Sequence, residues 1–316
     1  MDSSPKIAIL LSTYNGAKYI AEQLDSLLAQ SYSNFVIVTR DDGSTDATCS
    51  IVADYASRHP QLFLCLSNDG VNRGASASFS CLIEYVLQHK SELGLVKAYM
   101  MFCDQDDVWY PEKIARQIDA ILAAEADGDG ATMAVQLPLL VHTDLAVVSE
   151  KLEPIEPSLA SFQRLDNERN SFSNIVISNL VTGCTALVNE ELASKLVPIP
   201  EDAIMHDWWL ALGAVAFGKR IFLNAPMVSY RQHGANTIGA RRHVKSALLT
   251  RLFLQRLLET GPNVHLLAVA NQALAFSRHF HSELNFRDRL ALRLAIAMKT
   301  RSGLLQRGLF YLAKKL

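Results

Sequence analysis

Three carboxylates, Asp104, Asp106 and Asp107, stand within four positions, directly after the apolar run Met100-Met101-Phe102-Cys103. Like charges packed this closely repel unless a cation sits among them. Oxygen ligands of this kind suit Mg²⁺ or Mn²⁺, which keep waters and share a substrate phosphate. The alternative is a solvated acidic turn capping a helix that starts near Pro111. A second acidic cluster, Asp41-Asp42-Gly43-Ser44-Thr45-Asp46, follows the apolar run Phe35–Val38. A third candidate, Asp207, sits at the predicted start of a helix, within His206-Asp207-Trp208-Trp209.

These residues need strands to hold them, and the apolar runs supply candidates. Ile7–Ser12, Phe35–Val38, Leu62–Leu66 and Tyr99–Cys103 read as buried strands. Between them lie helix-patterned segments, one carrying Ile20, Leu24, Leu27 and Leu28, one carrying Ile51, Val52 and Tyr55, and one over 76–89. Ser44 or Thr45 is the expected cap of the second. Four strand–helix alternations in about 110 residues predict an α/β, doubly wound, Rossmann-like, mostly parallel sheet flanked by helices. Ligands of such sheets bind beyond the carboxyl ends of the strands, where every polar cluster named above falls.

Further along, Leu139–His142, Leu180–Val188, Arg220–Leu223 and Met227–Tyr230 read as strands, and Ala203–Phe217 as a helix. The segment 150–174, with Pro154 and Pro157, reads as a mobile loop over the site. From 241 onward the pattern is helical and basic, with no strand signal.

The 316-residue chain is 49% apolar, which excludes a disordered protein and leaves room for one large domain or two. Its net charge of −2 hides an asymmetry. Residues 241–316 hold 14 Lys/Arg against 3 Asp/Glu, a net of +11, which leaves −13 for the remainder. The tail interleaves Arg241, Arg242, Lys245, Arg251 and Arg256 with Leu248, Leu249, Leu252, Phe253 and Leu257. Such basic amphipathic helices lie in anionic membrane interfaces; alternatively, they pack their apolar stripes on the body and leave the charges in water. No nucleic-acid-binding motif appears. Five scattered cysteines without metal spacing read as reduced core residues of a cytoplasmic protein. The N-terminus lacks a signal-peptide core, and no apolar run reaches the roughly 18 residues that span a bilayer. The expected division is therefore a body over 1–240 and a helical extension over 241–316.

In this order, Ser12-Thr13-Tyr14-Asn15, Asp41-Asp42-Gly43-Ser44-Thr45-Asp46, the D-x-D of Asp104-Gln105-Asp106-Asp107, Thr182-Gly183 and His206-Asp207 resemble the inverting family 2 glycosyltransferases of GT-A fold. The resemblance covers about residues 6–235. Within the family, His206-Asp207-Trp208-Trp209 and Tyr230–Asn236 look most like bacterial rhamnosyltransferases of surface-polysaccharide assembly. The familiar Glu-Asp base motif is His-Asp here, so Asp207 alone carries over.

The resemblance implies a GT-A domain, a nucleoside diphosphate sugar donor such as dTDP-L-rhamnose, Mg²⁺ or Mn²⁺, and a saccharide or lipid-linked saccharide acceptor at the inner face of the cytoplasmic membrane. It implies that Asp106 and Asp104 serve the metal, with His233 as a further ligand, and that Asp207 is the general base. Thr13, Tyr14, Asp42, Asn72, Arg73, Asp104 and Asp107 would contact the nucleotide sugar, and Thr182, Trp208 and Trp209 the acceptor. Each has a plainer alternative: an Asx turn at Asp42, a helix-dipole partner at Asp207, a structural His233, a solvated Arg73, and a core role for one of the two tryptophans, which cannot share a helix face. Two rivals stand beside this reading. A sugar-phosphate nucleotidyltransferase would need a Gly-rich basic loop after the first strand, which Ser12–Gly16 does not supply. A membrane-bound assembly factor with a dead transferase core would lack Asp106 or Asp207.

Overall fold

Alternation along the strands sorts the apolar residues onto two faces of one sheet. Ala8, Leu10, Val36, Val38, Met100 and Phe102 face one core, and Ile7, Ile9, Leu11, Phe35, Ile37, Tyr99, Met101 and Cys103 the other. Both faces are buried, which is why these strands read as continuous apolar runs. The computed structural model describes residues 4–67, 70–127, 136–163, 165–167, 170–234 and 261–316.

The first half is the expected parallel unit. Strands β1 (Ile7–Thr13), β2 (Phe35–Asp41), β3 (Phe63–Cys65) and β4 (Tyr99–Cys103) alternate with helices α1 (Ile20–Leu28), α2 (Thr48–Arg58) and α3 (Ala75–His89). They pair in the order β3-β2-β1-β4, all parallel. Register sets Thr13 beside Asp41 and Leu11 beside Cys103, so the polar clusters emerge side by side at one edge. The cap of α2 differs from expectation. Asp46 accepts the Thr48 N–H at 3.0 Å, while Ser44 accepts the Asn15 N–H and so ties two loops together.

The second half is mixed. Short β5 (Val108–Trp109) and α4 (Lys113–Ala126) precede β6 (Leu139–Val148), β7 (Pro154–Glu156), α5 (Leu159–Gln163) and α6 (Phe172–Ile177). A 3₁₀ turn (Gly183–Thr185), β8 (Ala186–Val188), α7 (Glu190–Leu196), α8 (His206–Phe217) and β9 (Lys219–Arg231) follow. The sheet continues β4-β8-β6-β9-β5, with β8 antiparallel to both its neighbours and β7 on the side of β6. Three expectations change here. The run over 180–188 is a strand only from Ala186, because Gly183–Thr185 winds into a 3₁₀ turn. The two short strands around Pro226 are one strand with register shifts beside Pro226, which has no N–H to donate to the ladder. The segment 150–174 carries β7, α5 and the start of α6 instead of a plain loop.

Helices α9 (Val264–Phe280), α10 (Phe286–Ala297) and α11 (Gly303–Ala313) close the chain. Leu266, Val269, Phe276 and Phe280 of α9 lie in the same core as Trp208, Trp209 and Leu212 of α8. Phe276 stands 5.2 Å from the Trp209 ring and 6.1 Å from Phe217. Burying one such side chain stabilises by about 1.5–3 kcal/mol, so these helices belong structurally to the body. The proposed boundary at 240, and the basic residues from Arg241 to Arg256, lie outside the described residues. Among the described residues no helix is long and apolar enough to cross a membrane. Cys103 and Cys184 are core residues as expected, but Cys49 and Cys65 are exposed; all five are free thiols.

Candidate active site

One cleft of about 1260 Å³ opens over the carboxyl ends of β1, β2 and β4. Thr13, Tyr14, Asp42, Asn72, Asp104, Asp106, Thr182, Asp207, Trp208 and His233 all line it. Arg73, Asp107 and Trp209 do not.

At the β2 end the two aspartates divide the work. Asp41 builds the turn, accepting the N–H groups of Gly43 and Ser44 and the Thr13 hydroxyl. Asp42 points inward and is 3% exposed. Its Oδ1 accepts from the Arg40 guanidinium and from the Arg73 N–H at 2.9 Å; its Oδ2 accepts the Gly74 N–H at 2.8 Å. A carboxylate offers about four lone-pair sites, so Oδ2 keeps one for a ligand. Arg73 thus serves Asp42 through its backbone, and the buried Arg40 is the guanidinium that balances the charge. Gly43, at φ +88°, allows this turn, which a Cβ would strain.

At the β4 end Gln105 bonds reciprocally to the Tyr14 backbone, both bonds at 2.8 Å, and so clamps the β1 loop. Asp106 meets His233, with Oδ2 and Nε2 2.7 Å apart. Tyr19 stacks on His233 at 4.6 Å. Arg231, at the end of β9, donates to the Asp106 carbonyl at 2.8 Å, pairs with Glu22 on α1 and lies 4.9 Å from the Tyr19 ring. Asp104 shares the wall. Burial, with the charges of Asp106 and Asp207, pushes its carboxyl up to about 7.

Asp107, expected at the sugar, is fully buried and does not line the cleft. It accepts the Arg231 N–H at 3.2 Å, and burial and its neighbours hold its carboxyl well above the usual range. Under it lies Lys113, also fully buried, 3.6 Å from the Trp109 ring centre and pushed down to about 7 by burial. The ligand atoms of Asp104, Asp107 and Cys184 converge within 4.8 Å. That trio fits a hard cation poorly, because burial keeps the Cys184 thiol protonated. Asp106 and His233, 2.7 Å apart, offer the carboxylate and imidazole donors that suit Mg²⁺ or Mn²⁺, and Asp104 lines the same cleft without its ligand atoms converging on that pair.

Opposite, α8 begins at the cleft. Asp207 Oδ1 accepts the Trp208 N–H at 2.6 Å and the Asn179 amide at 3.1 Å. Burial lifts its carboxyl to about 6, opposed by the N–H groups of Trp208 and Gly183 and by Asn179. His206 is wedged between Phe79 and Phe102, and burial pushes its imidazole down to about 3. A base near 6 suits neutral pH far better than one near 3, which favours Asp207 over His206. A Cβ on Gly183 would stand 2.8 Å from His206 Nε2, so only glycine fits beside this pair. Trp208 lines the cleft and stacks at 5.9 Å on His265 of α9. Trp209 is a core residue, its indole N–H bonded to the Leu196 carbonyl. His265 and Asn179 escaped the sequence reading, since neither belongs to a motif at recognisable spacing.

The sequence over 8–138 matches the family model of Glycosyl transferase family 2. Over residues 8–138, then, the chain carries a family 2 glycosyltransferase domain. An uncharacterized glycosyltransferase of Rickettsia prowazekii is 26% identical over 74% of this chain and 66% of its own length. The dTDP-rhamnosyl transferase RfbG of Shigella flexneri is 25% identical over 75% of this chain and 76% of its own. The crystal structure of S. aureus TarS 1-349 in complex with UDP-GlcNAc superposes with a TM-score of 0.53 at 16% identity, over 93% of this chain and 82% of that one. GalNAc-T7 with UDP, GalNAc and Mn²⁺ gives 0.54 at 10% identity, over 89% and 55%. These neighbours share the GT-A fold, which this chain adopts, with helices closing its C-terminal side.

Proposed function

We propose that this chain is a metal-dependent inverting glycosyltransferase. It moves a sugar from a pyrimidine nucleoside diphosphate donor, L-rhamnose from dTDP-L-rhamnose, to a saccharide acceptor in bacterial surface-polysaccharide synthesis. The observation that carries the reading is the shared cleft. Asp207, the Asp106–His233 pair and Asp42 all line it. Similarity to the Shigella rhamnosyl transferase supports the sugar.

The chemistry follows from these positions. Asp42 Oδ2 accepts the N3–H that uracil and thymine carry and cytosine lacks. Asp106 and His233, with Asp104 in the same cleft, would hold Mg²⁺ or Mn²⁺, which would supply positive charge for the departing diphosphate. Asp207 takes the proton of the acceptor hydroxyl. The acceptor oxygen bonds to the anomeric carbon as the bond to the diphosphate breaks, and that electron pair leaves with the nucleotide. One in-line displacement inverts the centre.

Calorimetry with UDP, dTDP, CDP and GDP in Mn²⁺ tests the pocket. UDP and dTDP are expected to bind and CDP to bind weakly, and a preference for GDP sinks both the pyrimidine pocket and the rhamnosyl reading.

Segment 241–316 is proposed as the membrane-facing part, carrying the chain to a lipid-linked acceptor. Support comes from α11. Leu304, Leu305, Tyr311 and Leu312 are each more than half exposed, and at helical spacing they share one face. Arg301, Lys314 and Lys315 flank it, and no Asp or Glu follows Asp288. Wild-type protein is expected to float with anionic vesicles at low salt and to be released by high salt. A Leu305→Glu, Leu312→Glu double variant with unchanged melting should stay at the bottom of the gradient. Equal flotation of the two proteins contradicts a membrane role for α11.

A further inference from the structure

Between α6 and the 3₁₀ turn, the loop 178–182 runs along the cleft wall directly under the start of α8. Asn179 is its pivot. The Asn179 Oδ1 accepts the Val181 N–H at 3.0 Å, which closes an Asx turn and fixes which end of the amide is which. The NH₂ end is thereby turned toward α8, where it donates to Asp207 Oδ1 at 3.1 Å. Trp208 N–H donates to the same oxygen at 2.6 Å. Oδ1 is then filled by two donors, and Oδ2, on the side of Gly183, whose N–H also supports the carboxylate, is the oxygen that keeps a lone pair to give.

We propose that Asn179 is a positioning residue, whose amide holds the Asp207 carboxylate so that Oδ2 faces the acceptor hydroxyl. The inference rests on Asp207 being the general base. A carboxylate at a helix start would otherwise rotate about its terminal torsion, which is broad and has no strong preference. Two donors on one oxygen remove that freedom and favour the ionised form that accepts the proton. Other groups facing Asp207 among the described residues are Asp104 across the cleft, its neighbour His206, and His265 from α9. His206 stays neutral at pH 7, so it adds no charge. The charge of Asp207 raises Asp104, while burial alone opposes ionisation of Asp207, and Asn179 and the backbone N–H groups are what sustain it.

The test reads Asp207 directly. Protein labelled with ¹³C at the aspartate carboxyls is titrated by NMR, with the Asp207 signal assigned by its loss in Asp207→Asn. Asn179→Ala and Asn179→Ser are titrated alongside. Serine keeps a short acceptor for the Val181 N–H but cannot reach Asp207, so it holds the loop if alanine loosens it. Both variants are expected to move the Asp207 midpoint upward by about one pH unit or more, since a hydrogen bond to a charged group is worth at least about ten-fold in an equilibrium. The acid limb of kcat should move with it, while nucleoside diphosphate Kd stays put. An unmoved midpoint in the serine variant overturns the proposal. So does a loss confined to acceptor KM, which would make Asn179 an acceptor contact. Normal turnover by Asp207→Asn is a separate failure: it removes the base reading whatever the Asn179 titrations show.

Discussion

Asp207→Asn is expected to lower kcat about 10²–10⁴-fold, the usual contribution of a general base, while leaving donor affinity nearly intact. The acceptor proton moves only in the transition state, so a group that takes it contributes nothing to binding the donor beforehand. Asparagine keeps the size of the side chain and accepts the Trp208 N–H through its amide oxygen, so the helix start survives. The rate of the wild type should fall on its acid side with a midpoint near the value of about 6 to which burial lifts Asp207. Steady-state rates at saturating donor, with diphosphate binding measured separately, check both statements. Near-normal turnover in the variant places the base elsewhere.

Asp106→Ala is expected to abolish metal-dependent nucleotide binding, and EDTA should do the same to the wild type. Asp106 is the carboxylate that meets His233, and without it Asp104 remains as the only cleft-facing carboxylate of the cluster. The accompanying pH dependence has a definite sign. In the metal-free protein Asp104 is raised from 3.8 to about 7, so the native state holds a proton that the unfolded chain releases. Stability should therefore fall as pH rises from about 4 to 7, and added Mn²⁺ should restore it most at the upper end. Asp106→Ala removes one source of that repulsion, and the metal-free variant should melt at or above the wild type at pH 7. Unchanged UDP or dTDP affinity in Asp106→Ala or in EDTA excludes the metal role.

The parallel half of the fold was legible because its strands are buried on both faces and announce themselves as apolar runs. Its site was legible for the same reason: Thr13, Asp42, Asp104 and Asp106 sit at strand ends, where chain order gives spatial order. The mixed half was harder. β6, β8 and β9 pair across long separations, and period-2 alternation does not say which strand lies beside which. Asp107 and Trp209 adjoin the cleft-lining residues Asp106 and Trp208, and only packing separates a side chain in the cleft from its neighbour in the core. Arg40 looked like an ordinary strand residue until Asp42 was seen to need a buried partner. Asn179 and His265 act through contacts made 28 residues away or from another helix, which no local pattern encodes.

The order in which the chain leaves the ribosome gives the α8–α9 contact a further meaning. Trp209 and Phe217 are covered by Phe276 and Phe280, which are synthesised some 60 residues later. At about 5–20 residues per second that face waits on the order of 3–12 s without its cover. Helix α8 is thus a part of the nascent chain exposed to misassociation, and holding chaperones or lowered expression should raise the soluble yield. A chain stopped at Arg231 would carry every strand found among the described residues and still present that aromatic surface to water.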